Sequence, residues 1–160
     1  MCIRDSEPIN DHHYAREIVY DHAMQISTVP AEETVIIVAH GPIDPSDNSK
    51  QLSLMTNIAN HVQRKGHFHE VIPFSLQDDA SPEVRADNVK RLRETIEMNT
   101  ANNRRVLIVT TLMSSEVIQA RVERELAGLS YFLNSNGLVE HPYFLEWINE
   151  AIINEKARDF

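Results

Sequence analysis

Residues 35–42, Val-Ile-Ile-Val-Ala-His-Gly-Pro, decide the fold because a continuous apolar run ends there in a turn. The run begins at Thr34 and ends at Ala39, and its β-branched residues are typical of a strand buried on both faces of a sheet. His40 and Gly41 follow directly, and imidazole can ligate a metal or transfer a proton near neutral pH. A hydrogen-bonded structural histidine is the alternative. Because the carboxyl ends of parallel strands form the ligand crevice, we expect His40 to lie in a binding site.

The rest of the chain alternates between segments of helical spacing and further apolar runs. Helical spacing of apolar residues predicts helices over residues 12–26, 49–65, 82 onward, 116–126 and 141–156. Apolar runs predict strands over residues 34–39, 70–76, 105–111 and 130–133. Such alternation is typical of parallel strands connected by helices. The sequence therefore predicts an α/β fold: a three-layer sandwich with a mainly four-stranded parallel sheet, preceded by an N-terminal helix.

Individual residues are expected to set the ends and the buried faces of these helices. Gly66 should end the second helix, and Ser81 should cap the third helix with Pro82 at its first position. The buried side of the third helix is expected to contain Val84, Val89, Leu92 and Ile96. The inward side of the last helix is expected to contain Phe144, Trp147, Ile148, Ala151 and Ile152.

Composition excludes several classes of protein. The 160 residues suit a single domain, and 15 Lys and Arg against 24 Asp and Glu give a net charge of −9. This sign argues against a partner that is a nucleic acid and against electrostatic attachment to a membrane. No apolar run approaches the roughly 20 residues of a membrane span. Cys2 is the single cysteine, so neither an intrachain disulfide nor a thiolate cluster can form, and we expect a cytoplasmic protein.

The first thirty residues are expected to stand apart from the main domain. Residues 1–10 have no signal-peptide core and no periodicity, so we interpret them as a non-native or disordered leader. Residues 12–19 share the pattern His-x-Tyr-x-x-Glu-apolar-apolar with residues 141–148. Two amphipathic helices can match in this way by chance. The alternative is that residues 11–30 end an earlier copy of the domain that occupies residues 31–157.

From about Glu33 to Ala151 the chain resembles the sirohydrochlorin chelatases of the CbiX/SirB type. The resemblance rests on Val-Ala-His-Gly at 38–41, Asp47-Asn48, the turn at 78–82, the strand at 106–109 and Gly-Leu-Val-Glu-His-Pro at 137–142, in that order. These class II tetrapyrrole chelatases insert cobalt, nickel or ferrous iron into a macrocycle. The resemblance therefore implies a chelatase-like fold, a tetrapyrrole as the partner and a divalent metal (cobalt, iron or nickel) as a substrate.

The resemblance also implies a metal site. A histidine after the first strand binds the incoming metal in the family, and His40 occupies that position. A second family histidine follows the third strand, but Ile118 stands there in this chain, with Glu116 at the family's glycine. Isoleucine offers no ligand atom, so Met113 and Glu116 are the candidates that could complete a metal site beside His40. The alternative for Glu116 is that it only starts a helix, where a carboxylate is favourable.

Substrate binding is expected around the same crevice. The candidate contacts are Gly41, Asp47, Asn48 and His141. Sirohydrochlorin carries many carboxylates, and the candidate cations are Arg104, Arg105, Arg121 and Arg124. Loop acids that we interpret mainly as turn and cap residues, and otherwise as outer metal contacts or a proton relay, are Asp44, Asp47, Asp78 and Asp79.

The remaining histidines carry weaker expectations. His12, His13 and His22 should decorate the first helix. His67 and His69 point to one face and could bind a metal adventitiously. None of these side chains belongs to the predicted metal site.

Three functions follow from these observations. The first is a chelatase whose catalytic residue is His40, which binds the metal and could share in taking the pyrrole protons. The second is a non-catalytic, degenerate half of a duplicated chelatase, which packs on an active partner domain or forms a homodimer. A more distant alternative is a histidine-dependent phosphoryl transferase, but Ala39 stands where such a site needs an arginine.

Overall fold

The computed structural model describes residue 9, residues 12–114 and residues 117–158, without the side chains of residues 117–119 and 155–158. The leader expected at residues 1–10 lies outside the described residues, apart from Ile9, which is buried. The proposed ligand Glu116 and the side chain of Ile118 also lie outside them. No helix in this described part of the chain is long and apolar enough to cross a membrane.

Over the residues that the structure describes, four strands alternate with five helices. The strands are β1 (Glu33–Ala39), β2 (Glu70–Ser75), β3 (Arg105–Thr110) and β4 (Phe132–Leu133). The helices are α1 (His13–Ile26), α2 (Pro45–Gly66), α3 (Pro82–Ala101), α4 (Val117–Glu125) and α5 (Pro142–Arg158). Short 3-10 turns lie at Pro30–Glu32 and Leu138–Glu140.

The sheet has the order β2-β1-β3-β4, and each pair of neighbouring strands is parallel. β1 lies inside it, and all seven of its residues are buried. The outer strands differ, because β2 contains Pro73 opposite Ile37 whereas β4 has only two residues. The predicted α/β class and the four-stranded parallel sheet are confirmed.

Helices cover both faces of this sheet and divide the core in two. One half is filled from α1, α2 and α5 by residues such as Ile18, Val19, Ile58, Val62 and Trp147. The other half is filled from α3 by Leu92 and Ile96, and from α4 and the residue after it by Val122 and Leu126. Alternate β1 side chains enter the two halves, as Ile37 and Ile36 do. The predicted three-layer sandwich is therefore confirmed, and α1 is part of its core.

The ends of α2 and α3 agree with the predictions. α2 ends at Gly66 as predicted, and the left-handed residue is the one that follows it, His67, with φ of 55°. At Gly66 itself a Cβ atom would collide with the ring of Phe68. The predicted cap of α3 is confirmed, since the Ser81 side chain accepts a hydrogen bond from Val84 N and Pro82 is the first helical residue.

Two residues predicted to be inward are exposed. Val84 is exposed because the buried face of α3 begins one turn later, at Asn88. Ile152 is exposed because α5 reaches the core through Phe144 and Trp147, in its first turns. Helical spacing identified the correct faces but not how far along each helix the core extends.

Candidate functional site

The loops after the three longer strands meet at the carboxyl end of β1. Leu76 N donates to Ala39 O at 3.0 Å, and Asp78 N donates to His40 O at 3.0 Å, which joins the loop after β2 to the end of β1. Thr111 N donates to Val38 O at 3.1 Å from the end of β3. His40 therefore lies where a parallel sheet forms its crevice.

Gly41 allows two of these loops to pack closely. Its φ of 81° is left-handed, and a Cβ atom there would collide with Ser75 Oγ and lie 2.8 Å from Gln77 N. Gln77 is left-handed too, with φ of 49°, and its side-chain amide donates to Pro42 O at 3.1 Å. Gly41 thus acts through the backbone at this edge.

The ring of His40 has a defined orientation. Nδ1 lies 3.2 Å from Gly41 O, and because a carbonyl oxygen only accepts, the neutral ring carries its proton on Nδ1. The lone pair of Nε2 then faces Asp79 Oδ2 at 3.5 Å and Asp78 Oδ2 at 4.0 Å. A lone pair facing carboxylates is repulsive unless a cation lies between them, so this arrangement suits a proton or a metal ion.

The two aspartates near His40 differ in their freedom to bind a metal. The Asp79 side chain is 69% exposed, whereas that of Asp78 is 4% exposed. Asp78 Oδ1 accepts from Arg85 Nε at 2.7 Å, and Asp78 Oδ2 accepts from Arg121 Nη1. Two guanidinium groups therefore neutralise Asp78, which leaves Asp79 as the acid that can share a cation with His40.

Arg85 and Arg121 place positive charge at this edge. Arg85 also donates to Glu125 Oε1 at 2.5 Å, and its hydrogen bonds to Glu125 and Asp78 outweigh burial and raise the pKa of its guanidinium. Of the predicted cations, Arg121 reaches the site, where it donates to Asp78. Arg105 is instead at the other end of the sheet, paired with Glu33. The sequence analysis did not select Arg85, whose only signal was its position just after the acidic loop.

The loop acids and amides predicted at the crevice have structural contacts. Asp44 caps α2 by accepting from Ser46 N and Asp47 N, as its turn interpretation predicts. Asp47 lies in the first turn of α2, where it pairs with Lys50 on the surface. Asn48 Oδ1 accepts from Ser75 Oγ at 2.5 Å, so its side chain ties α2 to the end of β2.

The loop after β3 brings Met113 to the same edge. Its side chain is exposed, and its carbonyl oxygen accepts from Val139 N at 3.1 Å. Gly137 packs so closely on this loop that a Cβ atom would collide with Met113 O. The structure thus positions the Met113 backbone, and no described contact of its side chain reaches His40.

His141 lies in a different environment from His40. Its Nε2 is 3.2 Å from Asp21 Oδ2 of α1, and its Nδ1 accepts from Tyr143 N at 3.2 Å. Its ring also contacts the ring of His22, with the centroids 5.7 Å apart. Burial, and after it the charge of the nearby His141, lower the pKa of His22 to about 4. The described contacts of the His141 side chain are with α1 and the start of α5, so the structure does not place it against His40.

The site that forms is His40 with Asp78 and Asp79, whose ligand atoms lie within 4.8 Å of one another. The sequence analysis identified His40 but favoured a turn role for both aspartates. Their signal in the sequence was a pair of adjacent acids in the loop after a strand, but their approach to His40 depends on β2 being the neighbour of β1. The topology supplies that information.

Comparison with known proteins shows the fold. No protein-family model and no curated protein matches the sequence. Among solved structures, the chain is similar to SirB from Bacillus subtilis with Fe3+, with a TM-score of 0.70 and 24% sequence identity. The similarity covers 95% of this chain and 59% of the SirB chain. It is therefore more extensive than the resemblance in sequence, which covers residues 33–151. The chain therefore spans about three fifths of the length of SirB and has a chelatase-like fold.

Proposed function

We propose that this domain binds a divalent metal ion between His40 and Asp79 and takes part in its insertion into a tetrapyrrole. The observation that carries the proposal is the distance of 3.5 Å between His40 Nε2 and Asp79 Oδ2. Metal–ligand bonds of about 2.0–2.2 Å at a tetrahedral angle separate two ligand atoms by about 3.4 Å. An ion can therefore bind both groups with little movement.

The chemistry of the two ligands fits a metal that must be released again. An imidazole and a carboxylate suit iron, cobalt and nickel, and a site with only two protein ligands holds an ion less firmly than a four-ligand cage. The similar protein SirB was solved with Fe3+, which supports a metal role for this fold. The choice among the three metals stays open at this site.

The surroundings of His40 fit an anionic macrocycle. Arg121 and His40 approach the same oxygen of Asp78, so the guanidinium lies next to the proposed metal position. Arginine binds carboxylates well, and a fixed cation repels a free metal ion while it attracts a polycarboxylate. Once the metal ion has left them for the macrocycle, His40 Nε2 and the Asp79 carboxylate are each free to accept one of the two pyrrole protons that the metal displaces. A cytoplasmic location remains part of this proposal.

Metal insertion into sirohydrochlorin, followed by absorbance, tests the proposal. We expect His40→Ala to reduce the rate to the uncatalysed background and Asp79→Asn to reduce it about tenfold or more, because each loses a ligand. Asp87→Asn is the matched control, since Asp87 is an exposed acid of α3 that is not among the candidate site residues, and it should keep the wild-type rate. Equal rates for the wild type and His40→Ala would exclude His40 as the catalytic residue.

A second candidate function is the non-catalytic half of a duplicated chelatase, and two observations favour it. Both oxygens of Asp78 are occupied by arginines, and Ile118 stands at the second histidine position. The site is therefore poorer in ligands than the resemblance implies. Such a half would shape the crevice of an active partner domain instead of acting alone.

The shared His-x-Tyr pattern gives this candidate structural support. His12 Nδ1 accepts from Tyr14 N at 3.4 Å and its Nε2 faces Glu150 of α5 at 3.4 Å. His141 repeats both contacts from α5, with Asp21 of α1 as its acid. Tyr14 and Tyr143 stack between them at 5.4 Å. α1 and α5 thus recognise each other reciprocally, as expected of equivalent helices from two copies.

Reading the coding sequence upstream of residue 1 tests the second candidate. We expect a further copy with a strand that ends in Ala-His-Gly and with an intact second histidine. A purified chain with no insertion rate above background, together with such a copy, would favour the second candidate over the first. An upstream sequence without a related strand end would contradict it.

A further inference from the structure

From the geometry of His12, His13 and Glu150, we infer a second metal site, which binds a transition metal such as Zn2+ and links the start of α1 to α5. One ligand atom from each of these residues lies within 4.8 Å of the others. Two imidazoles and a carboxylate form a common ligand set for Zn2+, and water completes the tetrahedron. The inference does not depend on the proposed function, because it uses none of the residues around His40.

The distance between His12 and Glu150 already suits an ion. His12 Nε2 lies 3.4 Å from Glu150 Oε2, which is about the separation of two ligands on a tetrahedral zinc ion. The His12 side chain is 15% exposed, so its position is set by packing. The ring of His13 lies 4.3 Å from the ring of His12, and because His13 is exposed it can rotate towards the ion.

Tyr14 orients the carboxylate of this site. Its hydroxyl donates to Glu150 Oε1 at 2.9 Å, which leaves Oε2 directed at His12. A phenol hydroxyl donates and a carboxylate oxygen only accepts, so this hydrogen bond holds the Glu150 carboxylate in one orientation. Hydrogen bonds of this kind fix the ligands of natural metal sites.

Metal binding requires only a small change at His12. Nδ1 accepts from Tyr14 N, so the neutral ring carries its proton on Nε2. When Nε2 binds the metal, this proton moves to Nδ1 and the hydrogen bond from Tyr14 N is lost. That bond is 3.4 Å long and therefore weak, so a metal–imidazole bond readily replaces it.

The equivalent end of the helix pair explains why only one such site forms. His141 faces Asp21 at 3.2 Å in the same way, but the next residue is Pro142 instead of a histidine. The imidazole that does meet His141 belongs to His22, which is buried, and among the described residues His141, His22 and Asp21 do not bring three ligand atoms within 4.8 Å of one another.

Zn2+ binding to the His40→Ala protein tests the inference, because that background removes the site of the proposed function. We expect Zn2+ to raise the melting temperature of this protein, and Co2+ to give the absorption bands of a tetrahedral site. Adding His13→Ala should weaken Zn2+ binding about tenfold or more in a competition titration with a chelator. His13 is exposed, so this variant should fold as the parent does.

A matched control is the His67→Ala, His69→Ala double variant in the same background, which removes two other surface histidines. It should bind Zn2+ as tightly as its parent. No shift in melting temperature with Zn2+ in the parent would overturn the inference. Equal affinity with and without His13, or loss of binding in the His67, His69 variant, would also overturn it.

Discussion

The two ends of β1 differ in the burial and the hydrogen bonding of an ionisable side chain. At the amino end, Glu33 is fully buried and its carboxylate accepts from Ser27, Thr28, Val29 and Arg105. At the carboxyl end, the His40 side chain is 38% exposed and its Nε2 faces acids instead of a donor. The same strand thus ends in a closed ion pair on one side and an open pair of ligands on the other. The closed end should control stability, and the open end should control binding.

The largest loss of stability is expected when the buried ion pair at the amino end of β1 is removed. Glu33→Ala should lower the free energy of unfolding by about 3–5 kcal/mol, because Arg105 loses its buried partner and two backbone N–H groups lose their acceptor. Urea denaturation measures this change. Glu32→Ala, at an exposed neighbouring acid, should change it by less than about 0.5 kcal/mol. A small effect at Glu33 would contradict the division of the strand into a stabilising and a binding end.

The free energy of unfolding should fall at acid pH in two steps, the first caused by His22 of α1 and the second by Glu33 at the amino end of β1. Burial lowers the pKa of His22 from 6.5 to about 4, so the unfolded chain binds more protons between these values. Stability is therefore complete above pH 6.5 and falls by about 3 kcal/mol as the pH drops to about 4. Urea denaturation at a series of pH values should show this loss, and His22→Phe should remove it. A His22→Phe protein with an unchanged pH profile would assign the loss to other groups.

The loss of stability that Glu33 causes should occur at a lower pH than the loss that His22 causes. Burial alone raises the pKa of Glu33, but the hydrogen bonds from Ser27, Thr28 and Arg105 outweigh burial and lower it. Its stabilisation is present above the ordinary carboxyl pKa of 4.5 and is lost as the pH falls through the lower folded value. Glu33→Gln should therefore keep the decline that His22 causes and lose the later one. The reverse order would contradict these assignments.

A smaller loss of stability is expected from a substitution at Gly41, where the loops beside His40 pack together. Gly41→Ala should lower the free energy of unfolding by about 2 kcal/mol, because alanine is strained at φ of 81° and meets Gln77. Gly128→Ala is the matched control, since Gly128 has φ of 85° with open space around it. The difference between the two variants measures the loop contact alone. Equal losses would show that close packing at Gly41 contributes little.

The smallest effect on stability is expected at the ligands themselves. His40→Ala and Asp79→Asn should change the free energy of unfolding by less than about 0.5 kcal/mol, because both side chains are partly or largely exposed. Calorimetric titration with Co2+ should nevertheless show weaker metal binding in both. A large loss of stability in either variant would make the open end structural and remove the contrast within β1.

The sequence predicted the fold well because its strongest signals are local. The run of residues 34–39 identified the central strand, and Ser81-Pro82 identified a helix start that the structure confirms. Gly66 was assigned a conformational role, whereas its actual requirement comes from the ring of Phe68. Val84 was placed inward by its spacing, but spacing cannot show where the sheet stops.

The candidate site was predictable only in part. His40 was identified because it directly follows a buried strand. Asp79 becomes its partner because β2 lies beside β1, and Asp78 loses its freedom because Arg85 and Arg121 approach from two other helices. Neighbouring strands and ion pairs over long distances in sequence are properties of the folded chain, so local patterns could not reveal them.

The outer strands of the sheet also affect how copies of this protein meet. A strand at the edge of a sheet can pair with a strand of another molecule and so begin aggregation. β2 carries Pro73, which has no N–H group to offer, and β4 offers only two residues. Each edge is therefore a poor template for a further strand. We therefore expect that the apolar central strand, residues 34–39, does not lead the sheet to grow by pairing with strands of other copies.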